Sequence, residues 1–319
     1  MKILLVGGLG YIGSTLVEAI RRSETSDRVT ILDPLLFDVD PNYFHRVLSD
    51  DRFRFIKGDI SDMRLTWEMV GRHDVVVYMA SLTLPATEKS PEEGIFVNRH
   101  MAEITGDCCA KLDRRMVFMS TCSNYGRSDK PVDEDGELLP ISMYARTKVD
   151  AERYLINRVP DVTILRCATA YGVGAGRTRL DVLFNNFVKK AVTDGVIDLF
   201  RPDACRPICH VDDIAQAVWK AATQQAGREK RIYNVGSNEQ NYTKRDLAEI
   251  AVSQLPDAQI KITESDDDRD YRVDFGRVRR ELGFRANHTP ESELPQLSTL
   301  CGGRTRSFDT PPVEVGNKK

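Results

Sequence analysis

Short runs of β-branched and aliphatic residues recur along the chain at 3–6, 29–32, 53–56, 75–78, 116–119, 162–165 and 232–235, and each is apolar throughout instead of alternating. Strands buried on both faces read this way. Between the runs the apolar period becomes helical, at about 11–22, 95–112, 144–158, 181–194, 211–225 and 243–254, the last opened by Thr243 with Lys244, Arg245 and Asp246 in its first turn. Strands alternating with helices predict an α/β fold, a doubly wound parallel sheet with helices on both faces. After 172 the alternation loosens, and glycine and arginine crowd into Gly172-Val173-Gly174-Ala175-Gly176-Arg177. The division this predicts is a sheet domain of 1–171 and 207–236, a smaller discontinuous cap of 172–206 and 237–302, and a disordered tail of 303–319 rich in Gly, Pro, Thr and charge.

Composition narrows the function classes. Of 319 residues, 41% are hydrophobic and 29% charged, as in a soluble globular enzyme with a substantial core. Lys plus Arg (45) against Asp plus Glu (48) leaves a net charge of −3, so no summed positive field draws in nucleic acid or an anionic membrane. No apolar run approaches the ~18–20 residues that cross a bilayer, and 1–6 runs into glycines without a signal-peptide pattern, which predicts a cytoplasmic protein. Seven cysteines, an odd number without a CxxC pair, read as reduced thiols; Cys108 and Cys109 read as packing residues. Cys205, Cys209 and His210 are close in sequence but lack a second half-site for zinc, so no metal is expected.

The first predicted strand ends in Gly7-Gly8-Leu9-Gly10-Tyr11-Ile12-Gly13, and a helix opens directly after it. Gly7, Gly10 and Gly13 at three-residue spacing allow a tight turn, close approach of the backbone to a pyrophosphate, and close helix-to-strand packing. Asp33, twenty residues beyond Gly13 at the end of the second strand, is placed to accept both ribose hydroxyls and to repel a 2′-phosphate. The reading is a Rossmann-type site for NAD in preference to NADP, with Gly7, Gly10, Tyr11, Ile12, Gly13 and Asp33 at the cofactor. The alternative is a glycine turn that serves packing, with Asp33 as a cap. Asp59 and Ile60, after the third strand, are candidates for the adenine edge; a plain turn aspartate is the alternative.

Tyr144 and Lys148 lie four apart, on one face of a helix. A phenol near pKa 10 is a poor base at pH 7, but an adjacent ammonium favours the phenolate and makes proton exchange with a sugar hydroxyl feasible. The strand 116–119 runs into Ser120-Thr121-Cys122-Ser123-Asn124-Tyr125-Gly126, which presents hydroxyls at the carboxyl end of the sheet, where such folds bind ligands.

Together these residues resemble the extended short-chain dehydrogenases/reductases, especially the NAD-dependent nucleotide-sugar epimerase/dehydratase group. The resemblance spans about 1–285 and rests on GGLGYIG at 7–13, Asp33, GDI at 58–60, STCSNYG at 120–126, YARTK at 144–148, and RPICHVDD at 206–213. It implies that Tyr144 is the acid/base, that Lys148 is its electrostatic partner and a ligand of the nicotinamide ribose, and that Thr121 orients the substrate oxygen. It implies Arg206, with Arg269 assisting, as the clamp on a nucleotide-sugar diphosphate, and a homodimer through the helices at about 95–112 and 144–158. Solvated surface positions are the alternative for both arginines.

The chain departs from the pattern where the sugar 4,6-dehydratases of that group carry an Asp-Glu pair after the catalytic Thr: Cys122 and Ser123 stand there, and neither supplies a carboxylic acid. Thr169 replaces a common Asn near the substrate. Cys122, Ser123, Thr169 and Asn185 are the further candidates for substrate contact. The expected activity is NAD-dependent epimerisation of a nucleotide-diphosphate sugar at C4 through a transient 4-keto sugar. The alternatives are dehydration, net oxidoreduction, or a non-enzymatic NAD sensor.

Overall fold

The computed structural model describes residues 1–224, 229–255, 257–264 and 267–302; the expected tail at 303–319 lies outside the described residues. All seven predicted strands pair in one parallel sheet, in the order Lys230–Val235, Val162–Cys167, Arg115–Thr121, Val75–Tyr78, Lys2–Val6, Arg28–Asp33, Phe53–Lys57. Their unbroken apolar character has a direct cause. Alternate residues of each strand feed opposite cores: Ile3, Leu5, Val75 and Val77 pack with Leu16, Val17, Ile214 and Val218 on one face, while Leu4, Val6, Val76 and Tyr78 pack with Met69, Val70, Cys109 and Leu155 on the other.

The predicted helices form as Tyr11–Arg22, Met143–Arg158, Leu183–Thr193, Val211–Thr223 and Lys244–Val252. The one expected at 95–112 starts earlier, as Pro91–Ile95, and passes through a π turn at Phe96–His100 before Met101–Leu112. Helices at Pro41–Leu48 and Met63–Gly71 were outside the predicted set. Among the described residues no helix is long and apolar enough to cross a membrane.

Lys2–Val6 has the second strand on one side and the fourth on the other, so the winding reverses beside it. In doubly wound folds the ligand site lies at such a reversal, outside the carboxyl ends of the strands. Smaller sheets stand over that end: Asn241–Thr243, Cys205–His210 and Thr169–Tyr171 form one, Gln259–Thr263 with Val196–Phe200 a second, and Asp270–Val273 with Arg127–Val132 a third. A separate core of Phe184, Phe187, Val188, Leu247 and Leu294 supports the first two.

Candidate active site

The glycine turn is built for two different reasons. Gly7 has φ +77°, and a Cβ on it would stand 2.7 Å from the Ala80 nitrogen; a Cβ on Gly13 would stand 2.7 Å from the Gly7 oxygen. Packing alone therefore requires these two. Gly10 differs, because a Cβ there would meet only the Gly7 oxygen, at an ordinary 3.5 Å. Its bare side faces the start of Tyr11–Arg22, a helix end with no side-chain cap and no acidic residue in its first turn. That open helix N-terminus fits a pyrophosphate.

Tyr11 and Ile12 are the first two residues of that helix, and the Tyr11 phenol donates to the Gly172 carbonyl at 2.6 Å. Asp33 is buried and accepts the Leu9 and Leu35 amides at 3.0 and 2.9 Å. Burial raises its carboxyl above the ordinary value, against those amides and the nearby Arg177. Asp59 is exposed and accepts the Ser61 amide at 2.8 Å, whereas Ile60 packs into the core below it.

Tyr144, Thr121 and Ser81 come together beyond the strand ends, where both hydroxyls favour the phenolate. Each is held from behind. Thr121 caps the turn at Cys122–Tyr125, its Oγ1 accepting the Ser123 amide at 3.1 Å. Asn98, wholly buried in the π turn, accepts the Ser81 hydroxyl at 3.0 Å and the Leu82 amide at 2.8 Å, and donates to Leu82 O at 2.8 Å and to Thr147 Oγ1 at 3.2 Å. One side chain thus ties the fourth strand's exit to the helix carrying Tyr144. Beneath them Glu152 accepts from Ser120, from Asn124 at 2.6 Å, and from Arg166 at 2.8 Å.

The electrostatics differ from the expectation that Lys148 lowers the phenol. Burial pushes Tyr144 up to about 12, and the groups that pull it back are Arg179, Thr121 and Ser81. Lys148 itself is pushed down to about 7 by burial, against Glu152. Its Nζ donates to the Met119 carbonyl at 2.9 Å, 4.7 Å from the Phe118 ring centroid. The cause is common to both: a dry pocket disfavours each charged form. Arg179, in the glycine-rich loop and paired with Asp181 at 2.9 Å, is the cation whose field reaches the phenol.

Two substrate candidates are corrected. Cys122 is 1% exposed, its Sγ donates to the Arg166 carbonyl, and burial holds the thiol well above its usual value, so it faces the core. Asn185 is wholly buried, accepts the Gly172 amide at 2.9 Å, and donates to the Gly172 and Arg179 carbonyls at 3.1 and 2.8 Å. It fastens the loop that carries Arg179. Thr169 is half-buried on its short strand.

Ser123 shares a hydrogen bond with the buried Tyr271 phenol at 3.1 Å, and Tyr271 in turn accepts from Arg206 Nη1 at 3.2 Å. Arg206 is 5% exposed, not a solvated surface residue. Arg269 lies beside it and donates from Nε to Asp267 at 2.6 Å, while Arg206 Nη2 forms an ion pair with the same carboxylate at 3.7 Å. Cys205 and Cys209 are buried free thiols. His210, Asp212 and His288 come within ligand reach of one another, but the two rings stack 4.2 Å apart at 22°, so their in-plane lone pairs run side by side instead of converging on one ion.

Residues 3–236 match the NAD dependent epimerase/dehydratase family. The chain belongs to that family. Members are NAD-dependent enzymes, and both chemistries of the family name occur among this chain's relatives. It is 28% identical over 304 residues to a dTDP-glucose 4,6-dehydratase of Actinoplanes sp., covering 89% of this chain and 92% of that one. It is 29% identical over 222 residues to a UDP-glucose 4-epimerase of Lactobacillus helveticus, covering 64% of each. The fold matches the dTDP-glucose 4,6-dehydratase DesIV of Streptomyces venezuelae, solved with NAD, at a TM-score of 0.82 and 25% identity over 93% of this chain and 96% of that one. It matches the UDP-glucuronic acid 4-epimerase of Bacillus cereus at the same TM-score with 22% identity, over 94% and 99%.

Proposed function

We propose that this family member is a nucleotide-diphosphate-sugar 4-epimerase that uses bound NAD. The observation that carries the reading is at positions 122 and 123. Elimination of water needs an acid for the leaving hydroxyl and a base for the C5 proton. After Thr121 this chain offers a thiol turned into the core and a serine bonded to Tyr271. Epimerisation at C4 asks less of the protein: one proton leaves the C4 hydroxyl and later returns.

In this reading Gly10 and the amides of Tyr11 and Ile12 receive the pyrophosphate on a turn that Gly7 and Gly13 make possible, Asp33 accepts the adenosine ribose hydroxyls, and Asp59 with Ile60 borders the adenine. Lys148 holds the nicotinamide ribose. When bound, NAD would supply reversible hydride acceptance at C4, and its positive charge would favour the phenolate of Tyr144. Tyr144 exchanges the C4 hydroxyl proton, while Thr121 and Ser81 hold that oxygen at hydrogen-bonding distance from the phenol. Ser123 and Thr169 border the sugar; Arg206 and Arg269 grip the diphosphate as planar forks of donors.

Similarity over nearly the whole chain favours the second reading, a 4,6-dehydratase. Incubating the NAD-loaded protein with dTDP-glucose, UDP-glucose and UDP-glucuronic acid and weighing the products decides between them. An isomer of unchanged mass is expected; a product lighter by one water overturns the epimerase. A homodimer through Met101–Leu112 and Met143–Arg158 completes the proposal; within one chain the two segments are tied to each other by the Arg158–Asp107 ion pair, and the π turn before the first is tied to the second by Arg99–Asp150.

A further inference from the structure

Three cations distant in sequence are brought to one carboxylate. Antiparallel pairing of Cys205 with Thr243 and Arg206 with Tyr242 sets Lys244 beside the strand carrying Arg206. A capping box between Thr243 and Asp246 fixes the helix start at Lys244. Arg269 arrives just before the strand Asp270–Val273. Asp267 then accepts from Arg269 Nε at 2.6 Å and Nη2 at 3.0 Å and from Lys244 Nζ at 3.3 Å, with Arg206 Nη2 at 3.7 Å. Among the described residues the neighbouring acids are engaged elsewhere: Asp268 accepts from Arg201 at 2.8 Å, Asp270 from the Cys205 amide at 2.8 Å, and Glu88, whose charge reaches Arg269, from the Met143 amide at 2.9 Å.

Lys244 is only 1% exposed, its Nζ lies 4.0 Å from the Phe200 ring centroid, and it occupies the first position of a helix, where the macrodipole also disfavours a cation. Burial pushes it down to about 8, against Asp267. A residue serving packing alone would be apolar here. Arg206 Nε, also buried, has no partner. Among the described residues three positive groups share this one carboxylate, two of them, Arg206 and Lys244, buried, and buried charges are ordinarily paired. Two negative charges are what the diphosphate link of a nucleotide sugar carries.

We infer that Lys244 is a third cation of the substrate's diphosphate site, and that Asp267 is the built-in counter-ion that organises the three cations and yields to the diphosphate. This rests on the nucleotide-sugar reading above. Removing Lys244 then weakens binding of a diphosphate, and neutralising Asp267 removes a competitor and strengthens it.

The test is calorimetric titration of the NAD-loaded, full-length protein with UDP and with dTDP. If neither binds the native protein, the nucleotide-sugar reading falls and this inference with it. If either binds, Lys244→Gln is expected to weaken it about tenfold, Lys244→Arg to retain most of the affinity, and Asp267→Asn to tighten it about threefold. Native-like affinity in Lys244→Gln overturns the third cation, and weaker binding in Asp267→Asn overturns the counter-ion. Should the variants not fold, native affinity measured from pH 7.5 to 8.5, below the ionisation of either pyrimidine base, serves. Asp267, Arg206 and Arg269 are the charged groups facing Lys244, and none of them titrates in that window. A loss of about twofold or more on raising the pH is expected, and a flat profile overturns the proposal.

Discussion

Tyr144 has two opposed influences on its proton, and their balance decides how well it can act as a base. Burial holds the phenol protonated, while Arg179, Thr121 and Ser81 work toward the phenolate. Removing the hydroxyl in Tyr144→Phe deletes the proton path without touching the glycine turn. Turnover should fall by about 10²–10⁴ while NAD remains bound; near-native turnover would remove Tyr144 as the acid/base. Arg179→Gln takes away a cation but leaves Thr121 and Ser81 in place, so the pH–rate profile should move to higher pH, with Arg179→Lys moving it less. An unmoved profile in Arg179→Gln would mean that the guanidinium field is screened before it reaches the phenol. Lys148 cannot supply that field unaided, because the pocket that shelters it also pushes its own proton off near neutrality.

At the scale of the element, the turn between the first strand and its helix separates folding from binding within seven residues. Gly13→Ala forces a Cβ within 2.8 Å of the Gly8 backbone and should cost about 1–3 kcal/mol of stability by overpacking. Gly10→Ala meets nothing closer than 3.5 Å, so its melting temperature should stay near native while NAD affinity drops about tenfold or more. Native NAD affinity in that variant would mean that no phosphate approaches Gly10. The turn was legible in the sequence because its chemistry is local, as was the Tyr144–Lys148 pair on one helix face; the seven strands were legible because burial on both faces removes polar alternation. Ser81, Asn98, Arg179, Lys244 and Asp267 were not, since each takes its part from a neighbour brought close by tertiary packing. Ser81 had a faint signal, a hydroxyl just past a strand's carboxyl end, like Thr121. Cys122 and Asn185 were misread because spacing fixes where a residue stands but not which way it turns. The three-residue strands Thr169–Tyr171 and Asn241–Thr243 are too short to carry a period at all.

Across the whole molecule, the same dry packing that shapes the site sets how stability responds to alkali. Lys148 is wholly buried and loses its proton near pH 7 when folded, whereas an unfolded lysine holds it to about 10.4. Above pH 7 the unfolded chain therefore binds more protons, and folding stability rises with pH by at most about 1.4 kcal/mol per pH unit for this one group. Lys244 adds the same trend from about pH 8. The cysteines act in the other direction: Cys109, Cys122, Cys167, Cys205 and Cys209 are buried with raised values, while unfolded thiols ionise near 8.5, so each lowers stability as the pH climbs past about 8. The lysine effect thus stands clear only between about pH 7 and 8. Urea unfolding of the cofactor-free protein should give a stability that climbs across that interval and turns over above it, and Lys148→Met should flatten the climb while leaving the turnover. A native stability that is flat or falling from pH 7 to 8 would mean that Lys148 keeps its charge in the folded protein, and the field at Tyr144 would then have to be assigned to both cations.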